Sequence, residues 1–442
     1  MAEQKTQIPN LFKIPELKRK ILFTLGVLTV LRLGAHVTIP GVNRLNIENL
    51  FGNANSMFGM LDIFTGGALQ RATVFALGIM PYISASIIFQ LLTAVFPYFE
   101  KLQKEGEEGR KRITQYTRYA TVGLSAVQAY GYAVYLETQV PQALTMSGVT
   151  FMLTTVITLT TGAIFVMWLG EQITEKGIGN GMSLIIFFSI IERFPQTFLQ
   201  IFELWRTGAI SVFAILGFLI MMVLVIAGVV YMTMAVRKIP IQIPRKVVGR
   251  NQVRQGQKTH LPLRLNSAGV MPIIFAQSIL FFPATLQTFF PDVGWVQRLG
   301  GLFSLNSPGY MILFVLLIVF FTYFYTAIIF NPIDLAENMK KQGGFIPGIR
   351  PGARTAEYID RVLTRVTLPG SLFLAAIALV PLLVFHAGPF RAIPSFIGGT
   401  GLLIVVGVAL DTIQQMQSHL LLRHYEGFMK KGKLRGRGTR AF

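Results

Sequence analysis

Long apolar runs separated by short polar segments dominate the chain. Nine runs of about 18 residues or more carry almost no charge, and a helix needs about 20 such residues to cross the hydrocarbon core of a bilayer. Arg32 is the only formally charged residue in all nine. The pattern therefore predicts an all-α membrane protein, with spans at Ile21–Pro40, Ala72–Thr93, Tyr119–Leu136, Phe151–Gly170, Ala209–Val236, Leu265–Phe290, Pro308–Ile333, Val366–Phe390 and Ala392–Leu410.

A tenth segment, Ser183–Leu204, begins as an apolar run but is interrupted by Glu192, Arg193 and Pro195. The distribution of lysine and arginine indicates whether it spans, because positive charge is retained on the cytoplasmic side of a membrane. With ten spans, most of the 40 Lys and Arg residues fall on the side of the two termini. With nine spans the same charges divide far more evenly. The charges therefore favour ten spans, with both termini in the cytoplasm.

Composition supports the same class of protein. The 442 residues are 52% hydrophobic and 14% charged, whereas a soluble domain carries about 25% charged residues. The first apolar run is longer than a usual signal-peptide core, so we expect it to be retained as a span. The chain has no cysteine, which excludes disulfides and thiolate chemistry. The net charge of +20 is read as retention on one side of a membrane, and not as a nucleic-acid-binding surface.

Three segments on the predicted cytoplasmic side, 97–118, 237–264 and 334–365, are both long and basic. Retention of positive charge explains their sign but not their length. Loops of this length in an otherwise compact bundle usually have a function. Two explanations remain open from the residues alone: the segments only determine topology, or they form a surface on which a partner docks.

A short apolar stretch lies between the first two spans, on the predicted outer side. Met57–Phe64 is far too short to cross a bilayer, and Asn53, Asn55, Gly66 and Gly67 beside it suit flexible joints. The stretch fits either a movable cap over a cavity or an ordinary interfacial helix, because irregular backbone at membrane depth requires protein or water around it. Its apolar members are Met57, Phe58, Met60, Leu61, Ile63 and Phe64.

The residue types needed for chemistry are scarce within the apolar runs. Acidic residues lie near the ends of the predicted spans, as at Glu171 and Asp411, or in the interrupted segment at Glu192. Arg32 would cost about 2.5–3.5 kcal/mol at mid-span, so we expect it to snorkel or to cap helix carbonyls. The five histidines show no metal-ligand spacing, and no phosphate-binding loop or nucleophile elbow is present. The sequence favours a passive conduit over a secondary transporter or an intramembrane enzyme, and predicts no catalytic residue, metal or cofactor.

Seven stretches, in order along nearly the whole chain, closely resemble the SecY family, the channel subunits of the bacterial Sec translocon. They are Phe75–Ser86, Lys104–Arg110, Gln115–Tyr119, Gly170–Gly181, Thr259–Asn266, Gly344–Gly352 and Leu402–Asp411. The resemblance implies ten helices in two pseudo-symmetric halves, 1–204 and 205–416, around an hourglass pore, with a basic cytoplasmic tail at 417–442. It also supports Ser183–Leu204 as the fifth span.

The resemblance implies a ring of apolar side chains at the waist of the pore. Residues four apart on a helix face the same way, as Ile79 and Ile83 do, and such a ring can close by excluding water. Without the resemblance, each of these side chains would be read as packing or lipid-facing. The implied ring is Ile79, Ile83, Met182, Ile186, Ile274 and Ile404, and residues 57–69 become the plug beneath it.

The resemblance further implies a lateral gate between spans 2 and 3 and spans 7 and 8, with Gln90 and Gln277 on gate helices. Two cytoplasmic loops would dock the ribosome or the SecA motor through Arg245, Lys246, Arg250, Arg254, Arg350 and Arg354. The tip of the first loop departs from the family, because Arg250 is followed by Asn251 where a second arginine is common.

The other implied partners are the small subunits SecE and SecG, signal peptides, unfolded secretory or membrane proteins and the lipid bilayer. The implied location is the bacterial inner membrane.

Overall fold

The computed structural model describes residues 15–43, 62, 64–242, 246–247, 253–254, 258–289, 294, 307–386 and 399–431. Long helices make up most of this part of the chain. The helices are α1 (Pro15–Gly34), α2 (Met80–Val95), α3 (Pro97–Lys104), α4 (Glu107–Gln139), α5 (Val149–Lys176), α6 (Gly181–Arg206), α7 (Val212–Met234), α8 (Met271–Phe289), α9 (Pro308–Ile329), α10 (Pro332–Lys341), α11 (Ala353–His386) and α12 (Gly399–Lys431).

Each of the ten predicted spans overlaps one of the long helices, in the predicted order: α1, α2, α4, α5, α6, α7, α8, α9, α11 and α12. Among the described residues, five helical stretches are long and apolar enough to cross a membrane by length and composition: those of α5, α6, α7, α9 with α10, and α11. The pair α2 and α3 passes the same test together but is bent by 97°. The chain is a multi-pass membrane protein, and the full set of ten spans stays a prediction.

The bend between α2 and α3 has a local cause. Pro97 has no backbone N–H and disfavours helical geometry at the residue before it, and Phe96 is accordingly extended, with φ −100° and ψ 122°. α3 therefore leaves the direction of the second span.

Helix packing repeats between the two halves of the chain. In the first half α1 packs on α5, α5 on α4 and α6, and α4 on α2. In the second half α7 packs on α11, α11 on α9 and α12, and α9 on α8. A shift of five spans converts these neighbours of the first half into those of the second, where α7 also packs on α12. The halves meet on two sides, where α8 contacts α2 and α4 and where α12 contacts α6.

The boundaries of some elements differ from the sequence analysis. The second span was predicted from Ala72, but the helix begins only at Met80, because residues 66–79 form turns that require positive φ at Gly66, Gly67, Ala72 and Gly78. At the other end, α12 continues to Lys431. The predicted boundary between the second half and the basic tail, at 416/417, therefore lies inside a helix.

The segment 237–264, predicted only as a long loop, contains an antiparallel β-ribbon. Strand β1 (Val236–Gln242) pairs with β4 (Lys258–Arg264), and β2 (Lys246–Val247) pairs with β3 (Val253–Arg254). Alternation along β1 places Ile239 and Ile241 on one face, where both are buried. Apart from Val236, the ribbon lies outside the predicted spans.

The turns at 66–79 pack closely on α5. A Cβ added at Gly162 of α5 would collide with the backbone carbonyl oxygen of Val74, whereas a Cβ at Gly123 of α4 would meet no atom within 4 Å. Both glycines are helical, so they form a matched pair for testing this contact.

We expect Gly162→Ala to lower the free energy of unfolding by about 1–3 kcal/mol, because a backbone carbonyl cannot move aside as a flexible side chain can. Gly123→Ala should be neutral or stabilise by up to about 1 kcal/mol through helix propensity. Thermal unfolding of the two variants in the same detergent checks this. Equal midpoints would contradict the packing at Val74.

Candidate functional site

The predicted ring residues lie inside the bundle. Five of the six are at most 5% exposed, and they belong to one connected hydrophobic core to which both halves contribute. Ile79 is the residue immediately before α2, and the others are distributed over α2, α6, α8 and α12. The five buried members are Ile79, Ile83, Ile186, Ile274 and Ile404.

Met182, the sixth predicted ring residue, is only partly buried. Its sulfur lies beside Gly170 of α5, in the space that a Cβ on that glycine would need. Asn180 caps the start of α6 by accepting hydrogen bonds from the backbone N–H groups of Met182 (3.1 Å) and Ser183 (3.3 Å). The contact with Gly170 orients the flexible Met182 side chain towards α5.

One face of α8 brings together residues of three predicted groups. Ile274, Gln277 and Phe281 are spaced three and four apart and so form a single stripe. All three are buried. Phe64, the last of the six apolar residues named in the predicted plug, packs edge-to-face on Phe281 with ring centroids 5.6 Å apart. The predicted ring, gate and plug thus share one helix surface. Met57, Phe58, Met60, Leu61 and Ile63 lie outside the described residues.

The two predicted gate glutamines do not form a hydrogen bond with each other in this structure. Gln90 donates to Ser86 of its own helix (2.9 Å) and lies near the hydroxyl of Tyr325 on α9. Gln277 approaches Thr400 of α12 at 3.5 Å, and its amide oxygen is buried without a hydrogen-bond partner among the described residues. Of the two glutamines, Gln90 is therefore the one that approaches a polar side chain of the other half.

Sequence analysis missed Tyr325, which makes the contact with Gln90. Its ring also packs on Phe275 of α8, with centroids 5.2 Å apart. In an apolar run rich in aromatic residues the hydroxyl of one tyrosine gives no distinctive signal, because tyrosine is also common as a packing residue.

The two predicted docking loops form one structural unit. The backbone N–H and C=O of Gln242, at the end of β1, exchange hydrogen bonds with those of Phe345, at 2.9 and 3.0 Å. A second hydrophobic cluster, separate from the main core, joins the ribbon to α10 and α11. It consists of Ile239, Ile241, Leu263, Met339, Ile346, Ile359 and Leu363. We refer to this unit, β1 and β4 with residues 332–365, as the platform.

The platform exposes two of the predicted docking residues, Arg350 and Arg354. The carbonyl of Arg350 accepts a hydrogen bond from the hydroxyl of Thr355 at 2.9 Å, which fixes the backbone and leaves the guanidinium outside. Lys246 and Arg254 lie opposite each other across the β2–β3 pair. Arg245 and Arg250 are not among the residues that the structure describes.

The expectation for Arg32 was wrong. Its guanidinium forms an ion pair with Glu192 of α6, and the adjacent Arg193 forms an ion pair with Asp62. An isolated charge in an apolar run is costly to bury, and a pairing of opposite charges offsets that cost. One positive charge in the first span and one negative charge in the fifth gave the signal that could have identified the pair.

No group of three or more His, Cys, Asp or Glu side chains in the described part of the chain is placed to hold a metal ion. The described residues instead show buried apolar side chains in a core to which both halves contribute, polar side chains near one another on one side of the bundle, and an exposed basic platform. These features can seal, open and dock, and none of them supplies a nucleophile beside a base.

Comparisons with known proteins agree with this geometry. The protein translocase subunit SecY of Pseudomonas aeruginosa is 46% identical over 430 residues, which cover 96% of each chain. Two solved structures have the same fold at low sequence identity. A structure described as that of a protein conducting channel matches with a TM-score of 0.62 at 18% identity and covers 94% of this chain and 97% of that one. Sec61 in the canine ribosome-channel complex from the endoplasmic reticulum matches with a TM-score of 0.61 at 19% identity, with the same coverage.

The family profile described as SecY matches residues 73–413. This range holds most of the two halves, the platform and all six ring positions. By the extent of that match and by the identity to the Pseudomonas relative, the chain belongs to the SecY family.

Proposed function

We propose that this chain is the protein-conducting channel subunit of a Sec translocon, which passes unfolded polypeptides across the membrane and releases transmembrane segments sideways into lipid. The observation that carries the proposal is the burial of Ile79, Ile83, Ile186, Ile274 and Ile404 in one core to which both halves contribute. Residues facing lipid would be exposed on the helix surface, as Val223 is at 64%. Apolar side chains at such a junction can part for a chain and close behind it.

The side opening is assigned to the interface of α2 and α4 with α8 and α9. A signal core of ten Leu-like residues gains roughly 3–6 kcal/mol on entering lipid. That energy can favour an open gate if the contacts holding it closed are few and weak. The approach of Gln90 to the Tyr325 hydroxyl is a contact of this kind.

The channel performs no chemistry of its own and depends on partners for energy. A SecA-type ATPase or a translating ribosome would dock on the platform, where basic side chains meet acidic protein or RNA phosphate. Small subunits of the SecE and SecG type would complete the complex. The protein would lie in the bacterial inner membrane with both termini in the cytoplasm, as the lysine and arginine distribution favours.

The ring is tested by crosslinking. The chain has no native cysteine, so single cysteines at Ile83, Ile186 and Ile404 can report contact with a translocating polypeptide stalled in the channel. We expect efficient crosslinks from all three positions, because each would line the constriction. Val223→Cys, on the outer surface of α7, is the control. Crosslinks at Val223 but at none of the three interior positions would overturn the proposed function.

The gate is tested by removing one hydroxyl. Tyr325→Phe keeps the ring packed on Phe275 but removes the hydroxyl near Gln90. If the two groups hydrogen-bond in the closed gate, the bond contributes roughly 0.5–1.5 kcal/mol, so export of a substrate with a weakened signal core should rise by about two- to tenfold. Tyr323→Phe is the control, since its hydroxyl donates to Thr364 within the second half. Equal export by both variants would contradict this gate contact.

The platform is tested by charge reversal at Arg350. We expect Arg350→Glu to abolish SecA-driven export in reconstituted vesicles and to leave insertion of the channel itself intact, because an exposed negative charge would repel an acidic docking surface. Lys176→Glu, an exposed position at the end of α5 and outside the platform, controls for a general effect of charge. Undiminished export by Arg350→Glu would refute the docking role.

A further inference from the structure

Two ion pairs at adjacent positions of α6 connect three separate parts of the first half. Glu192 pairs with Arg32 of α1, and Arg193 pairs with Asp62, just before the turns that lead to α2. The Asp62 side chain is fully buried, and those of Arg193 and Glu192 are 14% and 16% exposed. The ring, the gate and the platform use none of these four residues.

Asp62 organises the segment that follows it, residues 64–72, which we call the root segment. One carboxylate oxygen of Asp62 accepts hydrogen bonds from the Thr65 hydroxyl (3.0 Å) and from the backbone N–H groups of Leu69 (2.9 Å) and Gln70 (3.0 Å). The other oxygen faces Arg193. A single side chain therefore both folds the root segment and attaches it to α6.

The root segment lies directly on α6 at a glycine. A Cβ at Gly66 would be 3.3 Å from the Cα and 3.4 Å from the Cβ of Ser189, and 3.3 Å from a carboxylate oxygen of Glu192. Gly66 has φ +64°, so glycine suits both the conformation and the close approach. On its other sides the segment is held by the edge-to-face contact of Phe64 with Phe281 and by a hydrogen bond from the Tyr132 hydroxyl to the Leu69 carbonyl (2.8 Å).

We propose that the Asp62–Arg193 ion pair, supported by Arg32–Glu192, is a latch that holds the root segment on α6 in the closed channel. The proposal rests on the proposed function. Residues 64–69 of the predicted plug lie in the root segment, so this part of the plug can move away from α6 only if the attachment breaks or shifts.

The physical behaviour of a buried ion pair suits such a latch. In a dry interior the attraction between the two charges is strong, and separating them leaves each uncompensated. Once water enters an opening channel, both charges are solvated and the attraction weakens. The latch therefore favours a closed dry state and an open wet state over intermediates.

The latch is tested first by ion conductance of the purified channel in planar bilayers without substrate. Asp62→Asn keeps the oxygen that accepts hydrogen bonds from the root segment but removes the charge, and Arg193→Gln removes the opposite charge. We expect each to raise the resting conductance by about tenfold or more. The double variant should be no leakier than the worse single variant, because both break the same pair.

Arg206→Ala, an exposed arginine near the end of the same helix, is the matched control and should leave the resting conductance unchanged. Additive leak in the double variant, or leak no greater than that of Arg206→Ala, would overturn the latch.

A disulfide gives an independent test that does not remove the charges. A Cβ added at residue 66 would lie 3.4 Å from the Cβ of Ser189, which is close to the Cβ–Cβ separation in disulfides, about 3.5–4.5 Å. In the Gly66→Cys, Ser189→Cys double variant, oxidation should stop translocation and a reductant should restore it, because the root segment is then fixed to α6. If the fully oxidised double variant translocates as fast as the same variant after treatment with the reductant, the latch is wrong.

The experiments can reject the latch without rejecting the proposed function. If the unmodified channel in the same vesicles translocates no polypeptide when a motor and substrate are supplied, the proposed function is wrong. If it translocates normally and the variants neither leak nor lock, the proposed function stands and the latch is wrong.

Discussion

A backbone inside a bilayer must satisfy its own N–H and C=O groups, because hydrocarbon offers no partners. This constraint governs the part of the molecule where the proposed pore lies. Residues 66–79 are not helical although they fall largely within an apolar run. Their backbone groups find partners in their own turns, in Val37 and Ile39, in the Tyr132 hydroxyl and in the Asp62 carboxylate. The irregular segment is therefore found where two halves enclose it. The same enclosure places the apolar ring and the buried charges side by side, so that sealing and attachment depend on one protein interior.

The order of the helices was predictable from hydrophobic run length and the distribution of lysine and arginine, because both respond to the membrane and not to particular neighbours. Even Ser183–Leu204, with its internal charges, forms a helix at the predicted place. The start of α2 was not predictable in this way, since hydropathy does not distinguish an apolar turn from an apolar helix. The β-ribbon was missed for a related reason: the alternation at Ile239 and Ile241 is short and lies in a segment dominated by basic residues.

The candidate site was predictable only where one residue type implies one environment. Isoleucine at Ile186 or Ile404 is equally compatible with a lipid face and with an interior, and the resemblance to a family, not the residue pattern, placed it at a constriction. Charge pairs behave differently. Arg32 was singled out because it is costly in an apolar run, and the opposite charge of Glu192 suggested a partner, but only the fold shows that the two side chains meet. Long-range contacts of this kind depend on the fold and cannot be read from spacing along the chain.

The backbone link between Gln242 and Phe345 has a mechanical consequence. Two loops that follow different helices of the second half are joined by main-chain hydrogen bonds and a shared apolar cluster, so neither can tilt alone. A push on the ribbon would be delivered to α11, whose single helix runs from the platform into the bundle, and on to α9 packed beside it. The platform is therefore attached to the second half as one unit. A partner that binds the platform can therefore transmit force to the interface between the two halves.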